Sequence, residues 1–347
     1  MITNPTPQRA LRSPRHPRPA DRAAAGAEHH AALARRLTAR DMWLIRMLHE
    51  HRVLTSIQIA ELAFPRLWAA NKRLLRLYQW RVVDRFQPHA LAGTGTAPMH
   101  YVLDVAGAHV LAHEGGISVA ELGYRRDRAV GIAYSLTLAH AVTVNGFFTA
   151  LAAASRQPEP AGTLTAWWSE RRCARYYGGI ARPDAYGRWR TSAGGELEFF
   201  LELDWGTEPP GDMTGKLTSY HRLAETTAIT TPVLFVFPHR ARETAARATL
   251  QRAHRTLATP AAVPVATASF DIDPPEYHYD PDAARWLTLH GSGRCGFTDL
   301  ARTWPRHSRH SLAAVSSTAA AATPGPVPAC PLPLPPPGSA QPWRDTL

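Results

Sequence analysis

The chain has 347 residues, 39 Lys plus Arg against 28 Asp plus Glu, a formal charge of +11 and 45% apolar residues. At roughly 100 to 200 residues per domain this predicts two domains with extensions, and the excess of cations puts nucleic acid first among partners. The apolar stretches stop short of the ~20 residues that a bilayer-crossing helix needs, and no run of ~7 to 15 apolar residues follows the basic N-terminus as a secretory signal requires. The expected compartment is the cytoplasm, with no membrane partner.

Lysine is scarce: Lys72 and Lys216 stand alone among the arginines. With abundant Ala, Gly and Pro this looks like a GC-rich coding bias, which makes a surviving lysine informative. Cys173, Cys295 and Cys330 are far apart and form no CxxC pair, so they read as reduced thiols and neither a zinc site nor a disulfide framework.

Residues 1–37 carry Arg9, Arg12, Arg15, Arg18 and Arg22 with almost no large apolar groups, and read as a disordered basic arm. Three helices are expected next. The first has Asp41 in its opening turn and Trp43, Leu44, Met47 and Leu48 at helical spacing. The second follows Thr55 or Ser56 as N-cap, buries Ile57, Ile59, Ala60 and Leu62, and stops before Pro65. The third spans about Trp68 to Trp80. Two short strands, Val82 to Phe86 and His100 to Leu103, flank the loop PHALAGTGTAP. This order over residues 38–115 predicts a winged helix-turn-helix, with Asn71, Lys72, Arg73 and Arg76 of the third helix as its DNA-binding residues and Leu74, Leu75 and Leu77 facing inward. The wing loop carries no Arg or Lys between Phe86 and His100, which leaves it without a cation for the minor groove.

A helical linker is expected over 116–160, with a helical segment from about Asp127 to Ala154 and a boundary at Pro158 and Pro160. Residues 161–302 then alternate strand-like and helix-like runs: LTAWWSE, ELEFFLELD, a helix from about Thr214 to Glu225, TPVLFVF, a helix from about Arg240 to Leu257, and a strand near Val263 to Phe270. This is an α/β pattern. In ELEFFLELD, period 2 sets Leu197, Phe199, Leu201 and Leu203 on one face and Glu196, Glu198, Phe200, Glu202 and Asp204 on the other. Pro183-Asp184 lies upstream, and Lys216 with Tyr220 lies downstream, one helical turn apart. An acid from one strand, two from the next and a nearby lysine make a set of hard oxygen ligands for Mg²⁺ or Mn²⁺, with Asp184, Glu202 and Asp204 as ligands and Lys216 as the cation beside them. The same pattern also arises on an edge strand whose acids face water. Trp167, Trp168, Trp189 and Trp205 suit base stacking or, more commonly, core packing. Residues 303–347 close on a proline-rich stretch, expected as a disordered tail outside any core.

RPDAY, ELEFFLELDWGTE and KLTSY resemble the PD-(D/E)XK, or restriction-endonuclease-like, nuclease fold. The whole arrangement over about 38 to 270 is similar to the bacterial replication-relaxation family, which occurs on plasmids and integrated conjugative elements. The resemblance implies a role on DNA in replication, relaxation or mobilisation, alongside a relaxase or replication protein. It matches Asp184 to the Asp of the PD motif and Glu202 to the first strand acid. Asp204 stands where an active nuclease usually has Lys, so Lys216 is either the migrated catalytic cation or a surface residue. Two functions follow: a DNA-binding protein with metal-dependent nicking at Asp184, Glu202, Asp204 and Lys216, or a non-catalytic accessory protein or transcriptional regulator on a degenerate nuclease scaffold.

Overall fold

In the computed structural model, residues 12–15, 22, 26–33, 35–89, 96–204, 210–269, 279–304 and 329–337 are described. They divide into two compact units at Thr149 and Ala150, and residues 329–337 belong with the first. The architecture is mixed α/β.

The first unit contains β1 (Arg12–Arg15), α1 (Ala27–Leu33), α2 (Ala39–His51), β2 (Leu54–Thr55), α3 (Ser56–Ala63), α4 (Leu67–Gln79), β3 (Val83–His89), β4 (His100–Leu103), α5 (Val105–Glu114), α6 (Arg126–Gly131) and most of α7 (Leu138–Ala154). Its strands form one antiparallel sheet in the order β1-β3-β4-β2. Capping boxes start two helices: Thr38 with Asp41 on α2 and Thr55 with Gln58 on α3, each worth on the order of 1 kcal/mol. Trp43, Leu44, Met47 and Leu48 of α2, Ile59 and Leu62 of α3, and Leu74 and Leu77 of α4 are all buried. Full burial of each such side chain contributes roughly 1.5–3 kcal/mol. In α5, a Cβ on Gly107 would lie 2.3 Å from the Val82 carbonyl oxygen, so only glycine lets this helix approach the start of β3.

Three expectations change here. Part of the basic arm is ordered: Leu33 of α1 is buried, and the Arg22 guanidinium pairs with Asp104 and lies 4.2 Å over the Tyr78 ring. Part of the proline-rich tail is docked as well, with Pro331 and Pro333 buried and Trp43 Nε1 donating to the Leu332 carbonyl at 2.8 Å. Composition averaged over a segment misses a single arginine that meets buried carboxylates, and misses prolines that have no N–H to leave unsatisfied. The expected helical segment is divided: α6 and a 3₁₀ turn at Ile132–Tyr134 meet α7 at a bend of 97°. At the break Ser135 Oγ accepts from Thr137 N at 3.1 Å, a side-chain bond that competes with the helical ladder. Among the described residues no single helix is long and apolar enough to cross a membrane.

The second unit holds β5 (Gly162–Ser169), α8 (Glu170–Tyr177), β6 (Ala185–Thr191), β7 (Glu196–Leu203), α9 (Pro210–Thr227), β8 (Val233–Phe237), α10 (Arg240–Arg255), β9 (Val265–Ser269), β10 (Trp286–Thr288), β11 (Arg294–Cys295) and α11 (Phe297–Thr303). These strands make a seven-stranded mixed sheet in the order β11-β10-β9-β8-β7-β6-β5. The β5-β6-β7 meander is antiparallel, while β7, β8 and β9 run parallel and are joined through α9 and α10. Phe297 of α11 packs against Trp189, Phe199 and Trp286 on one face. Tyr177, Tyr186, Phe200 and Tyr220 gather on the other. The acidic strand β7 therefore lies inside the sheet, hydrogen-bonded on both sides, and is not a water-facing edge.

Candidate functional site

Two regions hold the residues nominated from the sequence, one in each unit. On α4 the residues Trp68, Asn71, Lys72, Leu75 and Arg76 are all exposed, Trp68 by 66% and Leu75 by 39%. Their spacing of three and four places them on one face of the helix. The face offers an amide, two cations and an indole. Leu75, expected to face the core, belongs to this surface.

Arg73 does not belong to it. The residue is 6% exposed, and its guanidinium makes a two-point contact with the Asp41 carboxylate, Nε donating to Oδ1 at 2.9 Å. It also donates to the Arg36 carbonyl at 3.2 Å and lies 5.1 Å over the Trp80 ring. Position 73 is one residue off the exposed stripe, so helical phase turns it inward, where the N-terminal acid of α2 meets it. Asp41 thus caps its own helix and neutralises Arg73. The capping signal was visible in the sequence; the cross-helix partner was not, because residues 32 positions apart meet only through the packing of α2 on α4.

In the second unit, β6 and β7 place Asp184 at the entry of one strand and Glu202 near the exit of the next. Asp184 Oδ2 accepts from Leu203 N at 2.8 Å, which holds it beside the end of β7. Glu202 is 2% exposed. Its Oε2 lies 2.9 Å from Lys216 Nζ, and its Oε1 accepts from the Tyr220 hydroxyl. Lys216 and Tyr220 stand one turn apart on α9, and Tyr220 stacks on Phe200 at 5.3 Å between ring centroids. Burial raises the Glu202 carboxyl to about 7, opposed by the Lys216 charge and the Tyr220 hydrogen bond and reinforced by the negative charge of Asp184. The Tyr220 phenol is likewise pushed upward by burial and by Glu202.

Asp204 departs from this group. Its carboxylate accepts from Arg242 of α10, Nε at 3.1 Å and the terminal nitrogen at 2.7 Å, and it is 2% exposed. The β7–β8 ladder still continues at this position, with Asp204 N donating to the Val236 carbonyl at 3.0 Å, but the helix that meets Asp204 is α10 with Arg242, whereas α9 meets Glu202 with Lys216 and Tyr220. Among the described residues no group of three His, Cys, Asp or Glu is disposed to hold a metal. The nominated carboxylates instead carry internal partners: the Leu203 N–H, the Lys216–Tyr220 pair and Arg242. Two other acids of β7 are engaged too, with Arg188 of β6 lying 3.4 Å from Glu196 and 3.1 Å from Glu198. Arg242 was missed in the sequence because nothing local links a helix-start arginine to an acid 38 residues earlier. Trp167 and Trp189 are core residues, Trp168 stacks on Tyr176 at 5.0 Å, and Trp205 lies outside the described residues.

A family model described as replication-relaxation matches residues 45–240, more than half of the chain. No curated protein and no solved structure matches it.

Proposed function

We propose, on the premise that this chain belongs to the replication-relaxation family, that it binds duplex DNA during replication or relaxation of a plasmid or integrated conjugative element. In this reading α2, α3 and α4 with the β3–β4 hairpin act as a winged helix-turn-helix. The observation that carries it is the exposed stripe of α4, on which Asn71, Lys72 and Arg76 share a face with Trp68. A helix laid in the major groove offers such amide and guanidinium groups to base edges and its lysine to phosphate.

The second unit is then a nuclease-like scaffold whose carboxylates serve the fold. Mg²⁺ or Mn²⁺ does not fit the nominated ligands as they stand: both Glu202 oxygens are engaged by α9 and Asp204 is turned onto Arg242. Footprinting on supercoiled plasmid in the presence of Mg²⁺ tests both halves of the reading. The expected result is a protected tract that persists in an Asp184→Asn, Glu202→Gln double variant, with no nicking beyond that variant's background. Nicking by the wild type that the double variant abolishes would establish the enzymatic reading instead.

A further inference from the structure

Residues 329–337, of sequence ACPLPLPPP, belong with the first unit although the second unit comes between them in the chain. They join neither sheet and form no helix. Ala329 and Pro337 at the two ends are exposed, Pro331 and Pro333 are buried, and Leu332 between them is 72% exposed. The chain bends at Pro333 and Leu334 and is at the surface again by Pro337. A short stretch that is exposed at both ends and buried at two alternate positions has the outline of a bound peptide.

Its polar anchor is Trp43 of α2, whose Nε1 donates to the Leu332 carbonyl at 2.8 Å. An indole N–H can only donate, and Trp43 is 3% exposed, so the bond to the carbonyl satisfies a buried donor that is costly to leave without a partner. The two buried anchors suit this role. Proline has no N–H to desolvate, and its fixed φ means that little conformational freedom is lost when it is held. The same chemistry, prolines beside an aromatic donor, underlies recognition of proline-rich peptides in general. What the site reads is therefore Pro-x-Pro, with the carbonyl of x taking the indole hydrogen bond and the side chain of x turned outward. None of these features requires the segment to be covalently attached.

The geometry points to a binding site for Pro-x-Pro peptides around Trp43 of the first unit, occupied in cis by residues 331–333. Pro331 and Pro333 are the anchors, and Trp43 fixes the register. Tethering favours this occupant, because a linked ligand acts at an effective concentration on the order of millimolar. A free peptide is thus taken up readily only when the tail is disabled. The site goes beyond the DNA-binding reading and does not depend on it, since none of the exposed α4 residues takes part.

The test is a titration of full-length protein with a fluorescein-labelled peptide of residues 329–337 carrying Cys330→Ser, read by anisotropy. A full-length Pro331→Asp, Pro333→Asp variant is expected to bind the peptide saturably, and the wild type, whose site is filled, at least tenfold more weakly. A peptide carrying Pro331→Ala and Pro333→Ala is expected to bind the variant at least tenfold more weakly than the parent peptide, and one carrying Pro337→Ala within twofold of it. No saturable binding to the folded variant, or equal binding of the two proline-substituted peptides, overturns the proposal. A second measurement uses the unaltered protein. Cys330 is half-buried beside the anchors and Cys173 is buried in the second unit. Several millimolar unlabelled peptide is expected to raise the rate of thiol modification at Cys330 at least twofold, located by mass spectrometry, and to leave Cys173 unchanged. An unchanged rate at Cys330 overturns the proposal whether or not the double variant folds.

Discussion

The exposed face of α4 and the carboxylate cluster of β7 were both nominated from charged residues at suggestive spacing, and they use those charges in opposite ways. On α4, Asn71, Lys72 and Arg76 are exposed, and only Arg73 is drawn inside to Asp41. On β7, the carboxylates are consumed from within by Lys216, Tyr220, Arg242 and Arg188. A charged residue therefore signals an external ligand only when its helical or strand phase leaves it at the surface. A buried charge is costly unless paired, so a buried cluster first answers to the fold.

The largest effect that tests this contrast separates neighbours on α4. Replacing Arg73 with Ala strands Asp41 in the interior and is expected to destabilise the first unit by roughly 3–5 kcal/mol, read by chemical denaturation. Replacing Arg76 with Ala, at the exposed face, should destabilise the unit far less than this while weakening DNA binding. Equal destabilisation by the two would dissolve the distinction between inner and outer cations.

Next in size, Asp204→Asn should cost about 2 kcal/mol through loss of the charge-assisted bonds to Arg242, with no change in DNA affinity. An affinity change without a stability change would return Asp204 to a functional role.

A further effect is in pH dependence, where His100 in the first unit and Glu202 in the second have opposite signs. Burial lowers His100 from 6.5 to about 4, so between these values the unfolded chain binds more protons and this contribution to stability is lost as pH falls. Burial raises Glu202 from 4.5 to about 7, so the folded chain binds more protons there and its contribution is lost as pH rises. Relative to the wild type, Glu202→Gln should gain stability as pH climbs from 4.5 to about 7. His100→Gln should gain as pH falls through 6.5 towards 4. Melting curves across this range check both signs, and parallel pH profiles for both variants and the wild type would contradict them.

Much of the first unit was legible because its signals are local: Thr38–Asp41 and Thr55–Gln58 are capping pairs three residues apart, and the helix spacing fixes which leucines are buried. The strand β7 and its helix α9 were legible for the same reason, including the proximity of Lys216 and Tyr220. What was not legible depends on distant partners. Arg73 with Asp41, Asp204 with Arg242, and Arg22 with Asp104 are separated by 32, 38 and 82 positions, and spacing carries no information about which helix will pack on which strand. The arm and tail were misread for a related reason: an arginine and two prolines need only a site to dock against, and that site is made elsewhere in the chain.

In this reading the outer face of α4 holds DNA while the acids of β7 hold the fold. The affinity of a Lys72→Ala, Arg76→Ala variant for duplex DNA, measured beside its melting temperature, tests it most directly. At least a tenfold loss of affinity is expected, about 1.4 kcal/mol, with melting lowered far less than by Arg73→Ala. Wild-type affinity in that variant would contradict it.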